Sequence, residues 1–221
     1  MSLVSRLMTS LVALLPVAAS AAVHAVSVGG RIIELPVPEG MREVAAGNTA
    51  VRVLAESKVP AELRLLACFV PEQDAVELAA GRPGRWDRHV MVVTYRAEEG
   101  RPKSEQAFAT FQRITDESLV GRDPTRAAST VFVRGPRSYG YWGLRDHEAA
   151  DPARDTPRRI VTAPSIVLVR DTQVSFFVYG DYRGDADIAW AKRTGRWLID
   201  ATLRANAEVD NPRAKGRDPR P

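Results

Sequence analysis

Short apolar runs separated by turn residues fill most of residues 30–180, and helical spacing interrupts them at three places. Ile32, Ile33 and Leu35 predict a short strand ended by Pro36, Pro38 and Gly40, and residues 41–45 predict a second. Asn48 or Thr49 is placed to cap a helix that carries Ala50, Val51, Val53 and Leu54, runs to about Ser57 and closes before Pro60. LRLLACFV is a continuous apolar run, the pattern of a strand covered on both faces. PEQDAVELAAGRPG reads as a short helical turn and loop, and RHVMVVTYR as a strand with Val90, Val92 and Thr94 on one face. Ser104 caps the clearest interior helix, in which Ala107, Phe108, Phe111, Ile114 and Thr115 fall at 3–4 spacing. VGRDPTRAAS reads as a linker, STVFVRG as a strand and DHEAADPARDTPRR as a loop. A strand pair follows, with Ile166 to Val169 as one arm, Val174 to Tyr179 as the other, and Asp171-Thr172 as the tight connection. A closing helix starts near Asp185, with Ile188, Ala191, Leu198 and Ala205 on one stripe and Trp190, Trp197 and Ala201 on the next.

Strands joined mostly by hairpins, with helices inserted between them, predict an α+β domain built on an antiparallel sheet. LRLLACFVPEQD, RHVMVVTYR followed by KSEQAFATFQRI, and SIVLVRDTQVSFFVYGDY with its WAKRTGRWLIDATLRAN helix resemble a class of uncharacterised secreted bacterial proteins. Their layout is similar to the PsbP-like fold, which also occurs in the envelope protein DcrB. The resemblance spans roughly residues 30–206. It lies in element order and composition rather than in a signature motif. It implies an antiparallel sheet with helices against it and a long C-terminal helix. The members of that class are mostly non-catalytic, so the resemblance brings no active-site residues and no cofactor.

The first segment changes the picture. MSLVSR carries one positive residue, Arg6, and the uncharged run LMTSLVALLPVAASAAV follows it. Small residues then stand at cleavage spacing in Ala19-Ser20-Ala21 and again in Val23-His24-Ala25. This is the pattern of a secretory signal peptide over residues 1–25, with the mature chain starting near Val26. A membrane anchor is the rival reading, but the run is short, contains Pro16 and is dominated by Ala. No later segment is apolar enough to span a bilayer. The expectation is a single α+β domain over residues 26–207, periplasmic or secreted, followed by a disordered basic tail over 208–221.

Charge and cysteine narrow the function classes. The formal net charge is +4, but the last eleven residues alone carry a net +3 and Arg6 lies in the leader. The folded part is then formally neutral, which gives no basic face for nucleic acid. Cys68 is the single cysteine, so no intramolecular disulfide can form, and LRLLACFV marks it as a small buried hydrophobe rather than a reactive thiol.

Candidate chemistry is sparse. Only His89 and His147 lie beyond the leader. No G-x-S-x-G, H-E-x-x-H, C-x-x-C, P-loop or dinucleotide-binding glycine motif occurs. His89 reads as a surface residue ahead of a strand. His147 stands beside Asp146, Glu148 and Asp151 in a loop of Ala, Pro and charge that gives no sign of a fixed ligand geometry. Asp181, Asp185 and Asp187 lack the spacing of a calcium loop, and Asp185 reads as the N-cap of the closing helix. Tyr139, Tyr141 and Trp142 in RSYGYWG, which reads as a loop, fit either core packing or a ligand-stacking rim. No catalytic, cofactor-binding or metal-ligating residue is assigned. Two function classes remain. The first is a non-catalytic exported protein that binds a protein partner or an envelope component. The second is an extracytoplasmic hydrolase with an unrecognised site.

Overall fold

The computed structural model describes residues 22–120, 130–147 and 158–207. In chain order it contains β1 (Val23–Val28), β2 (Arg31–Pro36), β3 (Met41–Glu43), α1 (Thr49–Glu56), β4 (Leu63–Pro71), α2 (Glu72–Ala79) and β5 (Arg88–Tyr95). There follow α3 (Glu105–Val120), β6 (Thr130–Gly135), β7 (Ser138–His147), β8 (Arg158–Val169), β9 (Thr172–Asp181) and α4 (Asp185–Ala205). Strands β3 to β9 form one antiparallel sheet in the order β3-β4-β5-β9-β8-β7-β6, while β1 and β2 form a separate hairpin. This is the α+β architecture expected from the order of elements, with an antiparallel sheet and a long C-terminal helix. Most of the expected leader (1–21) and the expected tail (208–221) lie outside the described residues, as do 121–129 and 148–157. Strand β1 begins at Val23, so described pairing reaches upstream of Val26.

Alternation along each strand sorts the side chains into two layers. Val161, Ala163, Val167 and Val169 of β8 join Val174, Phe176 and Val178 of β9 in one core. Ala191, Leu198 and Ile199 of α4 close that core, together with Val28, Ile33 and Leu35 of the β1–β2 hairpin. The opposite face carries two smaller cores. Val51 and Ala55 of α1 and Ala75 and Leu78 of α2 cover Leu65, Cys68, Val70, Met91 and Val93. Phe108 of α3 covers Tyr139, Ile166 and Leu168 at the other end.

The N-terminal hairpin is tied to the domain by polar contacts. Asn206, just past α4, is buried and treats β2 as a strand would. Its Oδ1 accepts from Glu34 N–H at 3.1 Å and its Nδ2 donates to Glu34 C=O at 2.9 Å. Arg64 of β4 donates to Ser27 C=O at 2.9 Å. At the hairpin turn, Gly29 has φ 57° and lies against the backbone of Gly100, where no Cβ would fit.

Several expectations are corrected. RSYGYWG is not a loop: Ser138–His147 is a strand that pairs with β6 on one side and β8 on the other. The β8–β9 turn residues are Arg170 and Asp171, with φ 47° and 58°, and Thr172 already pairs with Val169. Two adjacent positive φ values give the turn whose twist matches the flanking strands. Strand β8 also starts eight residues before Ile166, because Pro164 is accommodated within it. In α3, Phe108 is buried, but Ile114 is 54% exposed and Gln112 takes the inward place. Gln112 Nε2 donates to Gly135 and Ser138 C=O, at 2.8 and 3.2 Å, so α3 holds the β6–β7 turn through an amide.

Candidate functional site

The three aspartates near α4 are separated by the fold. Asp181 meets the Arg158 guanidinium, which also lies 4.0 Å from Asp87. Asp185 is the exposed first residue of α4. The N-cap is Gly184 rather than Asp185. The reason is that Asp187, on the first turn, reaches back instead. Its Oδ2 accepts from Arg183 N–H and its Oδ1 from Arg88 Nη2, both at 2.9 Å. Burial opposes ionisation of Asp187, but the hydrogen bonds from Arg88 and Arg183 outweigh it and hold its pKa below the usual aspartate value. Among the described residues no group of three His, Cys, Asp or Glu side chains is placed to hold a metal ion.

The aromatic candidates also divide. Tyr139 is fully buried under α3, and its hydroxyl donates to Asp116 Oδ1 at 2.5 Å. Arg134 Nη2 lies 2.7 Å from the same oxygen and helps keep Asp116 ionised. Burial, with the Asp116 bond next, pushes the Tyr139 phenol up. Tyr141 is half-buried on the same face, 5.9 Å from Tyr139 between ring centroids. Trp142 points the other way and packs against the α4 core, with Lys192 Nζ 6.0 Å from its ring. The three therefore form no common rim.

Of the remaining candidates, Cys68 is fully buried, and desolvation with the Glu43 charge pushes its thiol up to about 12. Such a thiol supplies no thiolate near neutral pH. Asp146 is exposed and accepts from Arg159 Nε at 3.0 Å. Its sequence neighbours Glu148 and Asp151 lie outside the described residues.

A run of rings that the sequence does not announce lies on the face shared by α1, α2 and α3. Cross-strand pairing places Pro164, Phe177 and Met91 in one row and Thr162, Tyr179 and His89 in the next. Phe177 and Tyr179 stack at 6.3 Å, Tyr179 and His89 at 4.9 Å, and Trp86 meets His89 edge-on at 5.5 Å. Trp86, His89, Phe177 and Tyr179 are each half-buried, between the core under α1 and α2 and the core under α3. Trp86 has φ 57°, a left-handed conformation that is strained for so large a side chain. Its loop is pinned from α2 by buried Asp74, whose Oδ1 accepts from Arg85 N–H at 3.2 Å.

His89 belongs to this run rather than to open surface. Its Nδ1 lies 3.1 Å from Trp86 C=O, which can only accept, so Nδ1 carries the proton. Desolvation lowers its pKa to about 4, the Trp86 bond opposing and the charges of Lys58 and Arg158 adding to the drop. Burial likewise raises the Tyr179 phenol, against the charge of Arg145. The strip thus presents flat apolar rings, a neutral imidazole and cations at its margin. That arrangement suits holding an apolar or planar group better than moving protons at pH 7.

A pH dependence follows. The unfolded chain protonates His89 near 6.5 and the folded chain near 4. Between those values the unfolded state binds more protons, so stability is full above pH 6.5 and falls as pH drops towards 4. The expected loss is about 1–2 kcal/mol, allowing for relaxation of a half-buried ring. Urea denaturation of wild type and His89→Phe between pH 4 and 7 checks this. The variant should lose the slope, and an identical slope in both would assign it to other groups.

No protein-family model matches the chain, and no curated protein sequence is similar to it. Among solved structures, the chain is similar to the Saccharomyces cerevisiae Ran-binding protein Mog1p, with a TM-score of 0.37 and 13% identity. The match covers 85% of this chain and 95% of that one. At that distance the architecture described above rests on its own strand pairing.

Proposed function

We propose that the chain is an exported, non-catalytic binding domain, periplasmic or secreted, whose partner is a protein or an envelope component. The observation that carries this reading is the half-buried ring strip of Trp86, His89, Tyr179 and Phe177, held by a strained turn and flanked by cations. Preformed aromatic surface binds at low ordering cost. The groups that could serve catalysis support the same reading. Cys68 is sealed in a core, and the pKa of His89 is too low for efficient proton abstraction near neutral pH. The leader-like first segment supports export.

The test is site-specific photocrosslinking in the producing cell. A photoreactive residue at Tyr179 should give a discrete higher-mass adduct. The same residue at exposed Arg193, on the far side of the domain, should not. Equal adducts at both positions would remove the strip as the binding face. A hydrolytic activity of the purified protein abolished by His89→Gln, with the fold intact, would replace this reading with the enzyme.

A further inference from the structure

The ring strip has charges on both sides, and they are of one sign. Lys58 stands just past α1, beside Val59, which packs on the same core as Trp86, Phe177 and Tyr179. Its charge acts on His89, as does that of Arg158. On the other side, Gly143, Thr162 and Tyr179 share one rung of the sheet, and Arg145 follows two residues after Gly143 on the same face. Its charge acts on Tyr179. Arg158 meets Asp181 and lies 4.0 Å from Asp87, so its charge is already compensated. Lys58 and Arg145 are exposed, and among the described residues neither has a carboxylate partner. Resting on the strip as the binding face, we propose that its occupant is an acidic segment of a partner protein, which lays an aromatic or bulky aliphatic side chain on the rings and sets carboxylates against Lys58 and Arg145.

The chemistry of the strip selects that occupant. Flat rings gain most from another ring or a broad apolar side chain laid on them. The two cations favour a carboxylate beside that side chain and penalise a basic one. His89 donates from Nδ1 to Trp86 C=O, which leaves Nε2 as an acceptor at neutral pH. A peptide N–H can fill that acceptor, and an acyl chain cannot. The rings also lie flat on the sheet, between the core under α1 and α2 and the core under α3. Half-buried rings in that position do not insert into a bilayer, so the projecting group must come from the partner.

Two dyes with one ring system test the charge. The purified protein should bind anilinonaphthalene sulfonate and its sulfonate-free counterpart phenylnaphthylamine, each at a single site that Tyr179→Ala weakens. Lys58→Gln/Arg145→Gln should weaken the sulfonate by about fivefold at low salt, the upper range for exposed charge pairs, and leave the neutral dye unchanged. Both substituted residues are exposed, so the variant should melt with wild type. A sulfonate affinity equal to wild type in that variant overturns the acidic assignment and leaves the strip as the binding face. Failure of both dyes to bind, with no adduct at Tyr179, overturns the strip and this assignment with it.

The photoadduct at Tyr179 tests the class of partner in the producing cell. After proteolysis, mass spectrometry of the modified segment should find a second peptide attached. A lipid or glycan in its place overturns the protein partner. Lys58→Glu/Arg145→Glu should reduce the adduct severalfold, and an adduct that keeps its full strength in this variant overturns the acidic one.

Discussion

Leu198→Ala should destabilise the domain by about 2–5 kcal/mol, a large share of the 5–15 kcal/mol typical of a folded chain. Leu198 is fully buried beneath α4, in the core shared by β8, β9 and the N-terminal hairpin. Removing its methyl groups leaves a void in that core which a helix pinned at both ends cannot collapse to fill. Asp187 fixes one end of α4 through Arg88 and Asn206 fixes the other through β2. Trp197→Ala should cost less, because Trp197 is half-buried at the flank of the same helix. Arg193→Ala should change stability by less than about 0.5 kcal/mol, since Arg193 is exposed. Urea denaturation ranks the three, read as midpoint shifts at constant slope. A Leu198→Ala midpoint equal to wild type would mean that α4 does not seal the sheet.

Periodicity made α1, α3 and α4 legible, and the apolar runs did the same for β4, β5 and β9. Asn48 does cap α1, accepting from Val51 N–H at 3.1 Å, and Ser104 accepts from Ala107 N–H at 3.2 Å. Legibility failed where a local signal was overruled by pairing. Two glycines and three aromatics in RSYGYWGL suggest a loop, yet in β7 Gly140 sits where a neighbour crowds. A Cβ on Gly140 would fall 2.9 Å from the Phe132 ring. Pro164 reads as a break, but the described β7–β8 pairs skip from Gly140↔Ser165 to Gly143↔Thr162 in unchanged register. The missing N–H therefore costs little there. Strand β1 was hidden for another reason. Its Val and Ala residues are the same ones that a leader uses near its cut.

The ring strip was hidden because its members are far apart in sequence. Trp86 and His89 enter from the start of β5, Phe177 and Tyr179 from the end of β9, and only the β5–β9 register brings them together. No spacing within one segment signals that. The aspartates show the opposite error of proximity. Asp181, Asp185 and Asp187 lie within seven positions, yet the strand-to-helix join sends them to Arg158, to solvent and to Arg88.

Gly195→Ala should destabilise the domain, although Ala is the better helix former by about 1 kcal/mol. Gly195 faces β8 in the middle of α4 and is buried. A methyl group there would overlap Ser165 Oγ and stand 3.1 Å from Phe132 Cζ. Ser165 is itself fully buried on β8 and donates to Ala163 C=O at 3.3 Å, so turning its hydroxyl away gives up that bond. The overlap must be relieved by lifting α4 from the sheet, which opens the core around Leu198. Overpacking of this kind costs about 1–3 kcal/mol, and Gly195→Val, with its larger side chain, should exceed that range. The clash predicts its own remedy. Ser165→Ala removes the oxygen that the new methyl group meets. The double variant Ser165→Ala/Gly195→Ala should then recover most of the loss, a coupling of at least about 1 kcal/mol in a double-mutant cycle. Strictly additive effects would mean that close approach of α4 to β8 does not explain the glycine.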